Sequence, residues 1–154
     1  MAYTDEDLKE MMDDCIRQVK ELGYDVFPIV DIKFSPGSRC GFAYLRSHKD
    51  MDYDMNTKTW KNVAFCIRVH SFMKDLSADD YMEIKAVVMH EVIHAIKPHD
   101  GVGFPYLSHG DIFIRTKNEV EAAYGYKHIW DSTKKERVSE KLVQYFHDYY
   151  KKKA

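Results

Sequence analysis

The chain opens without anything like a secretory leader: Met1-Ala-Tyr-Thr-Asp-Glu-Asp7 has neither the basic nor the apolar region of one. No apolar run approaches the roughly 20 residues needed to cross a bilayer. Cysteine is scarce, with Cys15, Cys40 and Cys66 widely spaced and no C-x-x-C pair. That excludes a cysteine zinc ribbon or a disulfide framework and fits free thiols in a reducing compartment. The sequence is therefore expected to be soluble and cytoplasmic, with no membrane partner. Strong net charge is missing too. A balance of −2 excludes a histone-like basic protein. Internal repeats, linkers and low-complexity stretches are absent apart from Lys151-Lys-Lys153. What remains is 154 residues, 45% hydrophobic and 14% aromatic, enough for a single domain with a core of its own.

The small net charge hides an uneven spread. Residues 1–26 carry eight acids against three bases, and residues 127–154 carry eight bases against four acids. A basic end of this kind is compatible with DNA or an acidic partner, although most such ends are solvated helix.

Periodicity gives an α+β reading. Thr4 followed by Asp5, Glu6 and Asp7 starts a helix, Leu8 to Leu22 keep helical spacing, and Gly23 ends it. Short β-branched and aromatic runs follow at 29–34, 40–45 and 63–69, with a polar stretch at 48–61 read as a loop or irregular hairpin. They predict a small antiparallel three-stranded sheet packed against helices, with 63–69 as an edge strand. Ser77-Ala-Asp-Asp80 resembles a capping box opening a helix over about 78–97, closed by Pro98. Further helices are predicted from Ser108 to Tyr124, ended by Gly125, and over roughly 133–150.

The stretch with the most chemistry is Ala86-Val-Val-Met-His-Glu-Val-Ile-His-Ala-Ile96. Eight of its eleven residues are apolar, so the helix should be buried on most sides. Yet it carries His90, Glu91 and His94 in the pattern H-E-x-x-H. Three ionisable groups buried without partners would cost several kcal/mol, of order 2–7 for each polar group. Histidines at i and i+4 share one face, and a divalent metal between them would account for both. Glu91, one residue along, can reach a water at that metal.

Catalytic zinc usually takes a third protein ligand. A histidine at 100 with glycine at 97 would be needed for the H-E-x-x-H-x-x-G-x-x-H pattern, and Lys97 and Asp100 exclude it. Glu119 or Glu121 on the next helix is one candidate. His109, beside Gly110 at the start of that helix, is the other.

His90-Glu-Val-Ile-His-Ala95 followed by His109-Gly110-x-x-Phe113 resembles the SprT-like (Spartan-type) zinc metallopeptidases. Weaker similarities lie in Gly37-x-Arg39-Cys40-Gly41, in the strand around Ile67 and in Tyr124-Gly125, so the likeness covers roughly residues 1–126. It implies a zincin-like core in which one Zn2+ per chain is held by His90, His94 and His109, with Glu91 as catalytic acid/base. Many relatives add a cysteine zinc ribbon after this core, whereas here residues 127–154 form a basic helical extension packed on or continuous with the same domain.

The function expected is a zinc metallopeptidase, with a polypeptide substrate and DNA as a further partner through the basic C-terminal region. The alternatives are a non-catalytic, zinc-stabilised binding module for a nucleic-acid or protein partner, and a hydrolase of non-peptide bonds. An intact Glu91 favours catalysis, since a structural metal has no use for a general base. His99 and Tyr106 are candidate stabilisers of the tetrahedral intermediate. His48, His70, His128 and His147 read as ordinary, and Tyr124, Tyr126 and Trp130 as packing residues.

Overall fold

A computed structural model describes residues 2–36, 42–48, 52–97, 110–127, 129 and 139–153 of the chain. Helix α1 spans Asp5–Glu21. The Thr4 hydroxyl accepts the Asp7 N–H at 3.1 Å and Asp7 accepts the Thr4 N–H at 2.7 Å, a reciprocal cap worth about 1 kcal/mol. Leu8, Met11, Met12, Cys15 and Val19 form its buried face. Gly23, at φ +96°, then turns the chain in a conformation that side chains resist.

Three strands, β1 (Ile29–Ser35), β2 (Ala43–Ser47) and β5 (Phe65–His70), form a sheet in the order β1-β5-β2. The expected antiparallel sheet is in fact mixed: β5 runs parallel to β1 and antiparallel to β2. Nor is the 63–69 segment an edge, because β5 is the central strand. Burial explains the placement. Phe65, Ile67 and Val69 are enclosed on one face and Cys66 and His70 on the other. A strand apolar or satisfied on both sides gains most at the centre. Between β2 and β5 the polar stretch forms its own hairpin, β3 (Asp52–Asp54) with β4 (Thr59–Lys61). Asp54 stabilises its turn by accepting the N–H groups of Asn56 and Thr57.

Two short 3-10 turns, 71–75 and 78–80, lead into α2 (Tyr81–His94). The Ser77–Asp80 capping box is present, but residues 78–80 form the tighter turn and the helix proper starts at Tyr81. The helix also ends earlier than expected, at His94. Ile96 makes an antiparallel bridge with Val26, the Phe27 N–H goes to the Ala95 carbonyl at 2.8 Å, and the Lys97 N–H to the Asp25 carbonyl at 2.8 Å. Tertiary pairing thus takes the backbone groups that a further helical turn would use.

Helix α3 is Asp111–Tyr124, ended by Gly125 at φ +72° as its sequence suggests. Helix α4 is Glu140–Lys153, its first turn capped by the Ser139 hydroxyl, which accepts the Leu142 N–H at 3.2 Å. The onset expected near 133, with Val138, His128 and Trp130, lies outside the described residues.

Helix α1 packs along β1 and α2 along β2. Leu142 belongs to the same buried cluster, with Tyr145, Phe146 and Tyr149 against it, so α4 shares the core of the other elements. Its Lys141 meets the buried Asp80 carboxylate beside α2. Among the described residues, no helix is long and apolar enough to cross a membrane.

Candidate metal centre

Helix α2 and the two residues after it are enclosed from Ile84 to Met89 and from Glu91 to Ile96, with His90 half-buried between them. His94, at 6% exposure, lies in the next turn on the same side as His90. Their Nε2 atoms face each other at 3.3 Å, with ring centroids 5.0 Å apart. This distance suits one nitrogen donating to the other. It also meets a stricter requirement. Two nitrogens each about 2.0–2.1 Å from one ion, at a tetrahedral angle of about 109°, stand about 3.3–3.4 Å apart. The spacing of the pair is therefore the one that two ligands of a tetrahedral cation would have.

Phe113, in the first turn of α3, lies against both imidazoles, 4.8 Å from the His90 ring and 4.7 Å from the His94 ring. The resemblance marks Phe113 as part of a motif, but sequence gives no sign that one ring touches both histidines. That contact depends on how α3 crosses α2.

Glu91, on the same turn, is 6% exposed. Burial disfavours its charged form and pushes its carboxyl up to about 8. A cation close by would oppose that rise by favouring the carboxylate.

The two glutamates considered as third ligands are engaged elsewhere. Glu119 accepts the Tyr24 hydroxyl at 2.7 Å, which fastens α3 to the chain after α1. Glu121 pairs with the buried Lys117 at 2.8 Å. Among the described residues, no third His, Cys, Asp or Glu completes a metal-binding group with His90 and His94. His109, His99 and Tyr106 lie outside the described residues. His109 is bonded to Gly110, the N-cap of α3, four residues ahead of Phe113.

His70, read as ordinary, is 1% exposed and fully satisfied. Its Nδ1 accepts the Phe72 N–H at 3.1 Å, and its Nε2 bonds the Tyr150 hydroxyl of α4 at 2.8 Å. The packing expected of Tyr124 and Tyr126 is polar at its ends. The Tyr124 hydroxyl bonds Glu21 at 2.6 Å, and that of Tyr126 bonds Gln18. Cys15 and Cys66 are free and buried. Compared with models of known protein families, with curated proteins and with solved structures, the chain finds no match.

Proposed function

We propose that this chain is a zinc metallopeptidase of the SprT-like type, with a zincin-like core, holding one Zn2+ through His90, His94 and His109. The observation that carries the reading is the 3.3 Å approach of the His90 and His94 Nε2 atoms on a largely buried helix. His109 is the third ligand in this reading, because Glu119 and Glu121 have other partners and His109 adjoins the helix start that Phe113 brings against the pair.

Bound zinc supplies Lewis acidity, activating water and polarising a substrate carbonyl. Glu91 is the general base that takes the proton from water on its carboxylate and returns it to the leaving amine. Its burial serves that exchange, since a carboxylate shielded from solvent holds a proton more readily than one in water. An extended polypeptide would add to a sheet margin through backbone hydrogen bonds. With β5 at the centre, the margin that suits this is β2, the strand along which α2 packs. At the other margin, α1 packs along β1, and Asp5 of that helix already accepts the Phe34 N–H at 2.9 Å.

Free thiols at Cys15 and Cys66 suit a reducing, intracellular setting. DNA remains a proposed partner through the basic C-terminal region, where Lys151 and Lys152 are exposed while Phe146 and Tyr149 pack inward. Salt-sensitive binding of single-stranded DNA would support that partner, and its absence would remove it.

The deciding experiment measures peptide cleavage and zinc content together for the wild type and Glu91→Gln. The wild type should carry about one zinc per chain. The variant should keep its zinc and lose at least about 100-fold in turnover. A wild type that takes up no zinc removes the metal. A variant that still cleaves removes Glu91 from its role. Bound zinc with no cleavage of any polypeptide favours the binding module.

A further inference from the structure

The metal reading leaves one question open: what sets two flexible imidazoles 3.3 Å apart before any ion arrives? Backbone geometry places His90 and His94 on one face, but each ring still has two torsions, and most combinations carry the nitrogens apart. We infer that Phe113 is the positioning residue that presets both rings for the metal, an inference that rests on the zinc reading above.

Three observations carry it. First, the contact is shared. One ring meets both histidines, at 4.8 and 4.7 Å, while the histidines stand 5.0 Å from each other, so the three rings form a nearly equilateral triangle. An imidazole that swings toward that side meets the phenyl ring. Second, the phenyl ring is itself fixed. Phe113 has no exposure, and a flat ring with two torsions has little freedom once enclosed. Third, its helix is fastened where the ring needs it. The Ile114 N–H bonds the Gly110 carbonyl at 3.0 Å and the Thr116 hydroxyl bonds the Ile112 carbonyl at 2.9 Å, closing the first turns around Phe113. Further along, Tyr24 holds Glu119, and Tyr124 reaches Gln18 and Glu21 of α1.

The chemical consequence is preorganisation: less ring freedom is lost when the ion binds, so affinity rises with no contact between Phe113 and the metal. Residues behind metal ligands commonly act in this way, by orienting the ligand rather than by touching the ion.

A merely structural phenyl ring would give a different result, and a control on the same helix separates the two. Val120 is also fully buried on α3, seven residues from Phe113, or about 10 Å along the helix. The test is a zinc titration of the full chain against a chelator of known affinity, with thermal midpoints in parallel. It compares the wild type, Phe113→Leu, Phe113→Met and Val120→Ala. Both Phe113 variants keep apolar bulk and lose the flat ring, so one of them serves if the other folds poorly. The expected result is a 10–100-fold loss of zinc affinity in the Phe113 variants. Val120→Ala should lower the midpoint and leave affinity within about twofold, since destabilisation alone leaves the folded site intact. Wild-type affinity in Phe113→Leu or Phe113→Met overturns the inference and leaves the zinc site standing. Equal losses in Phe113 and Val120 variants overturn it as well. A wild type without zinc overturns the site and the inference together.

Discussion

His70 and the pair His90–His94 sit in opposite kinds of surroundings. His70 closes β5 inside a ring of aromatics. Phe72, Phe146, Tyr149 and Tyr150 all meet it edge to face, with centroids 5.2 to 5.8 Å away. Its Nδ1 accepts a backbone N–H, so Nε2 carries the hydrogen and donates it to Tyr150. Both nitrogens are then committed to holding α4 against the sheet. The pair on α2 differs in where its nitrogens point. Each Nε2 is directed at the other, and one phenyl ring flanks both. Burial alone therefore does not mark a histidine as functional. What distinguishes the two places is the group each Nε2 meets, a tyrosine hydroxyl at His70 and a second imidazole at His90 and His94.

Exchanging the two regions' fates by mutation tests that contrast. The largest effect is expected from His94→Ala. Zinc affinity should fall by more than about 100-fold, beyond what is usual for groups behind the ligands, and proteolysis should go with it. His70→Ala should leave about one zinc per chain, because His70 belongs to the fold and not to the site. Zinc lost in the His70 variant, or kept in the His94 variant, would break the contrast.

In stability the order reverses. His70→Ala removes a buried ring and two hydrogen bonds, with an expected cost of about 2–4 kcal/mol, read from the urea midpoint. Tyr150→Phe keeps the ring and removes the hydroxyl, so the expected loss is about 1 kcal/mol, and hydrogen exchange should show it concentrated in α4. An unchanged α4 would mean that packing of Phe146 and Tyr149 holds the helix without the His70 bond.

The smallest expected effect is at the other end of α4. Burial would raise the Asp80 carboxyl, but Lys141 and the Ser77 N–H and hydroxyl outweigh it and hold it below its ordinary value. A carboxyl lowered by folding contributes stability above its unfolded value of about 3.9, and that stability is lost as pH falls through the lower folded value. An acid titration of the wild type should lose this contribution below about pH 4. Because Lys141 is partly exposed, the contribution is about 1 kcal/mol or less. Lys141→Met should remove that part of the acid dependence, and an identical titration would show that the pair contributes nothing.

Much of this was legible in the sequence where a local signal sufficed. Thr4 and Asp7 mark one helix start, Gly125 marks a helix end, and three ionisable residues in an apolar run mark α2. What escaped depends on elements distant in sequence. The parallel pairing of β1 with β5 joins segments about 35 residues apart, and no turn signal announces it. The end of α2 at His94 is set by Val26 and Phe27, which sequence cannot place beside it. Glu119 looked like a candidate ligand, and its tie to Tyr24 joins elements that sequence does not place together. The placements of Phe113 and His70 likewise come from helices crossing other elements.

The bridge between Val26 and Ile96 has a consequence for motion. The last turn of a helix is ordinarily its loosest part, fraying at little cost in free energy. His94 occupies that turn, yet the residues after it are tied at 2.8 Å to the segment joining α1 and β1. Fraying there would have to break the pairing of residues 95–97 with residues 25–27. The turn that carries the second histidine is thus held at its far end by tertiary pairing, where an ordinary helix end has only its own last turn.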